Sequence, residues 1–173
     1  MVCKNCKKEL YFENLCKNCF VRHFEKKSRK EIRSLFKKNS KIFVEDKKDS
    51  NSYALNEFIK SLGHPLKYTN KKSADIILIP WSLENEVLDF LEHFLMKDIN
   101  QIKSNNGLNV FKGLTQKEID LYAVSKGYKQ KEKKIMHISA VSKMIGELEL
   151  KYPGIKKAVL NGVKEYKEIL RAQ

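Results

Sequence analysis

The sequence predicts an α/β domain headed by a small metal-binding knuckle. All four cysteines fall at the start of the chain, as Cys3-x2-Cys6 and Cys16-x2-Cys19. Ala74-Asp75-Ile76-Ile77-Leu78-Ile79 is a nearly unbroken apolar run closed by Pro80, as expected of a strand in a buried parallel sheet. Strand-like and helix-like segments alternate along the chain, the order that builds βαβ units. A length of 173 residues suits one compact domain with a small appendage.

Cys-x2-Cys places two sulfurs on one tight turn. Two such turns, nine residues apart, can direct four thiolates at one point, a tetrahedral set suited to zinc at roughly 2.3 Å per Zn–S bond. An iron–sulfur cluster is the alternative metal group, and two disulfides the reading without metal. Four thiolates close the coordination sphere, which gives the ion a structural role. So short a segment buries no core of its own, so the metal supplies its folding energy. Chelation should then unfold about the first 20 residues and leave the βα body folded. His23, four residues past Cys19, is expected on a helix surface and not as a ligand.

Beyond the knuckle, Phe20, Phe24, Ile32 and Phe36 recur at multiples of four, and Val21 and Leu35 widen the stripe. This is an amphipathic helix. Its other faces carry Arg22, Lys26, Lys27, Arg29, Lys30 and Arg33. The net charge is +14, and between Lys17 and Lys48 twelve Lys or Arg stand against four acids. A field this strong attracts polyanions, with nucleic acid first and an acidic membrane face second. The bland alternatives are a lysine-rich composition and a merely solvated face. No apolar run is long enough to span a membrane and the first residues form no apolar leader, so a cytoplasmic location is expected.

Residues 41–44 read as a strand, 45–51 as a polar loop, and 52–62 as a helix with Leu55, Phe58, Ile59 and Leu62 inward, closed by Gly63. After the strand over 74–79, residues 83–97 form a helix capped by Ser82. Its core face is Leu83, Val87, Phe90, Leu91, Phe94 and Leu95. Thr115-Gln116-Lys117-Glu118 is a capping box opening a helix that Gly127 closes. Residues 129–134 are a charged linker. Residues 137–149 form a helix broken at Tyr152-Pro153-Gly154, and a last helix runs over 155–170. The loop after the first strand is where such folds bind phosphate. It holds no glycine to let the backbone wrap a phosphate, and three acids to repel one.

Several blocks, in order, resemble the PP-loop tRNA 2-thiolation proteins, which thiolate the wobble uridine of certain tRNAs. Cys16-x2-Cys19-Phe20 followed by Phe24-Glu25-Lys26 is similar to the opening of that family. Lys41-Ile42-Phe43-Val44 lies on its first strand. Lys47, Lys48, Asp49, Ser50, Asn51 and Ser52 lie on its ATP-gripping loop Ser-Gly-Gly-Lys-Asp-Ser, where only Ser52 agrees. Leu62-Gly63 ends the next helix. Pro80-Trp81-Ser82-Leu83-Glu84-Asn85 covers a Gly-His motif that is lost here, and Asp98-Ile99 matches the end of the helix after it. Lys117-Glu118-Ile119-Asp120-Leu121-Tyr122-Ala123 and Leu148-Glu149-x-x-Tyr152-Pro153-Gly154 match two later segments.

The resemblance implies a reduced PP-loop domain, Rossmann-like and of the adenine nucleotide alpha-hydrolase type. It divides the chain into a knuckle over 1–20, a basic helix over 21–38, a degenerate PP-loop domain over 39–128 and a C-terminal helical segment over 135–173. The family's active members carry further cysteines between the first βα unit and the Gly-His block; this chain has none after Cys19. The resemblance is therefore to a non-catalytic subunit, shortened and of the cytoplasmic tRNA 2-thiolation protein 2 type. It implies no ATP binding, a heterodimer with a catalytic PP-loop tRNA thiolase, contact with tRNA, and zinc as cofactor. The C-terminal helix, with Val159, Val163, Tyr166 and Leu170 at spacings of three to four, is the favoured partner face, with core packing as the alternative. A free-standing zinc-ribbon RNA-binding protein is the other functional reading. A third is an enzyme using Asp46, Asp49 and Glu84 as metal ligands.

Overall fold

The computed structural model describes residues 2–32, 40–63, 67–95, 107–129 and 140–172. Four parallel strands, β1 (Lys41–Val44), β2 (Lys67–Tyr68), β3 (Ile76–Ile79) and β4 (Leu108–Asn109), form one sheet in the order β2-β1-β3-β4. The helices are α1 (Lys17–Ile32), α2 (Ser50–Ser61), α3 (Leu83–Leu95), α4 (Gln116–Ser125), α5 (Ala140–Lys151) and α6 (Ile155–Ala172). Among the described residues no helix is long and apolar enough to cross a membrane.

Strand order reverses between β1 and β3, so a crevice opens beyond their carboxyl ends, the usual ligand position of such sheets. The expected α/β fold is present. The sequence showed β1 and β3 but not β2 and β4, because two residues carry no periodicity. β4 approaches β3 closely enough that a Cβ on Gly107 would lie 2.3 Å from Ile79 Cγ1.

One core joins α1, α2, α4 and the sheet, and it runs into the knuckle through Cys3, Leu15 and Cys16. Phe20, Phe24 and Ile32 are buried as the stripe predicted; Ser28, the missing member, donates its hydroxyl to Phe24 O at 3.1 Å. Leu35, Phe36 and Asp98-Ile99 lie outside the described residues. The expected boundary at residue 20 falls inside α1, because the helix starts between the last two cysteines. At α4 both halves of the capping box form: Thr115 Oγ1 accepts from Glu118 N, and Thr115 N donates to Glu118 Oε2 at 2.8 Å.

A second core holds α3, α5 and α6 together through Leu83, Val87, Ile145 and Leu160. It corrects the favoured partner face. Val163 is 1% exposed, and Tyr166 meets Phe90 edge-on with ring centroids 5.8 Å apart. Both residues belong to packing within the chain. On α3, the outer end of the predicted core face is instead open: Phe94 is 48% exposed and Leu95 57%.

Candidate metal centre, basic helix and crevice

The knuckle is two tight turns. Cys3 N donates to Lys8 O at 2.8 Å in the first, and Leu15 N to Phe12 O at 2.9 Å in the second. Lys7 and Glu13 take left-handed φ values of 58° and 49° to close them. The four sulfurs all lie within 4.8 Å of one another, with Cys6 and Cys16 3.3 Å apart and Cys19 and Cys6 3.7 Å apart. Every cysteine is free. Four sulfurs on one tetrahedral zinc stand about 3.8 Å apart, as follows from the Zn–S length. The donor set therefore fits a single metal ion; a four-iron cluster, holding each thiolate on a different iron, would spread them further.

The thiols differ in acidity. Burial raises the Cys3 thiol, but the N–H groups of Cys16, Asn5 and Cys6 together bring it down to about 6. Cys19, sharing hydrogens with Cys16 and Cys6, is pushed up to about 12. Metal binding must displace the protons that remain. His23 is exposed. Among the described residues no other group of three or more side chains is placed to hold a metal. Glu84 accepts from Gln116 N at 2.8 Å and faces Lys156 Nζ at 3.6 Å, so it caps α4 and has its own cation.

The six basic residues expected to meet RNA divide. Arg22, Lys26 and Lys30, four apart, are exposed along one line of α1 and carry no ion pair among the described residues. Lys27 instead binds Glu118 on α4 at 3.2 Å. Arg29 lies 3.6 Å from Glu25 and donates to Ser61 O at 3.2 Å. Arg33 lies outside the described residues. Glu25 also accepts from Tyr122 Oη and from Lys126 Nζ, both at 3.1 Å, and so holds α1 to α4. No sequence signal marked this contact, although Glu25 and Tyr122 each sit in a block of the resemblance.

At the crevice, the residues on the ATP-loop positions bond to one another. Asp49 caps α2, its carboxylate accepting from Ser52 N at 2.8 Å. Lys47 N donates to Ser52 Oγ at 3.0 Å, and Lys48 N to Asp46 Oδ1 at 2.8 Å. Lys48 keeps a left-handed φ of 54° where the family's loop has its first glycine. Asn51 donates to Pro80 O at the end of β3 at 3.0 Å and exchanges amide hydrogen bonds with Gln116. Gln116 and Ser50 both donate to Asp120. Gln116 and Asp120 were not legible as crevice residues, since only the fold brings α4 to the start of α2.

No known family profile and no curated protein matches the sequence. Among solved structures, the chain is similar to the U34-tRNA thiolase NcsA from Methanococcus maripaludis, described with its 4Fe–4S cluster, at a TM-score of 0.73 and 16% identity. The match covers 97% of this chain and 87% of that one. The chain thus shares the α/β fold of that thiolase.

Proposed function

We propose that the chain is a non-catalytic subunit of a tRNA wobble-uridine 2-thiolation complex, holding zinc in its knuckle, pairing with an active PP-loop thiolase and helping to bind tRNA. One observation carries the reading: a thiolase-like fold has its crevice filled by the chain's own polar groups. The N-terminus of a helix attracts an anion. In α2 that place is taken by the carboxylate of Asp49, and in the same first turn Ser50 and Asn51 are bonded to Asp120 and Gln116 of α4. An incoming phosphate would meet two carboxylates and no free glycine-rich backbone. Sulfur transfer also needs cysteines, as free thiols or as ligands of an iron–sulfur cluster, and all four cysteines are in the knuckle.

Affinity purification from the native cell, with calorimetry on the isolated chain, tests this. A PP-loop protein with an intact Ser-Gly-Gly-Lys-Asp-Ser loop should co-purify, and ATP should give no saturable heat. Sub-millimolar ATP binding would overturn the non-catalytic assignment. If no PP-loop protein is recovered and gene deletion leaves wobble thiolation intact, the subunit assignment fails and the free-standing zinc-ribbon RNA-binding reading replaces it.

The exposed stripe of α1 makes a separate prediction. Replacing Arg22, Lys26 and Lys30 with Gln should flatten the log–log salt dependence of tRNA binding by about two to three units. Replacing Lys27 and Arg29, which already have partners, should lower stability and leave that slope nearly unchanged. Equal slopes for wild type and the triple variant would remove α1 from the interface.

A further inference from the structure

We propose that Cys6 is an oxidant-sensing site: a peroxide attacks its sulfur, Cys16 closes a disulfide on it, and the knuckle gives up its metal. The proposal rests on the zinc of the function above, and on nothing about tRNA or a partner subunit.

The four cysteines are not equivalent. Cys3 and Cys16 are 1% and 4% exposed and belong to the first core, and Cys19 packs against that core. Cys6 is exposed and stands outside it. Its turn also carries Lys4, Lys7 and Lys8, all exposed, followed by the exposed acid Glu9. A metal-bound thiol is deprotonated outright, so access and not acidity decides which sulfur an oxidant reaches. Reactive cysteines sit in accessible, electropositive surroundings of this kind.

Cys6 also has a resolving partner in place. Its sulfur lies 3.3 Å from that of Cys16 and 3.7 Å from that of Cys19. Cys16, the nearer, is fixed at the start of α1, its carbonyl accepting from Phe20 N at 2.8 Å. Cys16 can therefore stay in the core while Cys6, on the exposed turn, closes on it.

The reaction balances with a peroxide as the two-electron oxidant. The Cys6 thiolate attacks one peroxide oxygen, the O–O bond breaks, hydroxide leaves and Cys6 becomes a sulfenic acid. The Cys16 thiolate then attacks the Cys6 sulfur, the S–S bond forms and a second hydroxide leaves. Two of the four thiolates are consumed, and Cys3 and Cys19 alone do not make a closed tetrahedral site. Lys4 N donates to Asn14 O at 3.0 Å, so the disulfide joins two turns that the backbone already ties together. A small dithiol reverses the step by thiol–disulfide exchange, and the site can be refilled.

The test adds hydrogen peroxide to the zinc-loaded full chain, follows zinc with a colour-forming chelator, and maps disulfides after alkylation. Zinc should be released as two of the four thiols disappear, with Cys6 and Cys16 in the first disulfide. Cys6→His retains three cysteines and one histidine, a ligand set that still suits zinc, and should slow the release about ten-fold or more. Cys19→His, the same chemical change at a sulfur that packs on the core, should not. If either variant fails to hold zinc, the wild-type map decides. A first disulfide on any other pair, equal protection by the two variants, or zinc and thiols intact under excess peroxide overturns the proposal and leaves the zinc reading standing. Protein that purifies reduced without zinc overturns both.

Discussion

Removing the metal, by chelation or by Cys16→Ser, is expected to lower the thermal midpoint of the whole chain by more than about 10 °C, not merely to loosen its first residues. A structural four-thiolate ion contributes on the order of 10 to 16 kcal/mol to the folding of its site, comparable with the entire net stability of a domain. The sequence alone placed that contribution in a detachable segment. The structure revises this expectation. Leu15 and Cys16 share a core with Phe20, Phe24 and Tyr122, the rings of Tyr11 and Phe12 pack on Phe20, and Tyr11 Oη donates to Leu121 O on α4 at 2.9 Å. Releasing the sulfurs therefore frees the first turn of α1 and opens the core beneath it. Thermal unfolding with and without chelator, followed by metal analysis of protein purified reduced, measures the effect. A midpoint unmoved within about 2 °C would show that the knuckle hangs on the body without supporting it.

What was legible in the sequence was local. The capping box at Thr115 and Glu118, the Ser82 cap and the apolar run of β3 are written in spacings of two to four residues, and the structure has each of them. The four-cysteine cluster was legible because two tight turns determine most of its geometry. Contacts between distant segments were not. The charges of Lys27 and Arg29 could be read, but not the acids that pair with them. α6 shows the same limit: a stripe at helical spacing fits a core and an interface equally, and only the packing of Leu160 against α3 and α5, with the burial of Val163, decides.

Phe24→Ala should cost about 3 to 5 kcal/mol, the largest loss expected from truncating one apolar side chain here. Phe24 is 1% exposed, stacks on Tyr122 at 4.0 Å with the rings 7° from parallel, and meets Phe111 edge-on at 5.3 Å. Few positions lie so close to three elements at once, so the surroundings have little freedom to collapse into the space. Tyr122→Phe should be milder, about 1 kcal/mol, because it removes one hydroxyl while Glu25, 97 residues away in sequence, keeps Lys126 at 3.1 Å. The two changes share a stack and a carboxylate, so their effects should not add in the double variant. Urea unfolding at constant m-value gives the energies. The same variants bear on function, since docking of Phe20, Phe24 and Ile32 is what turns Arg22, Lys26 and Lys30 outward. Phe24→Ala should therefore weaken RNA binding at temperatures where the sheet is still folded, and Tyr122→Phe should not. A Phe24→Ala cost below about 1 kcal/mol would mean that α1 is not docked on α4, and the outward line of Arg22, Lys26 and Lys30 would lose its support.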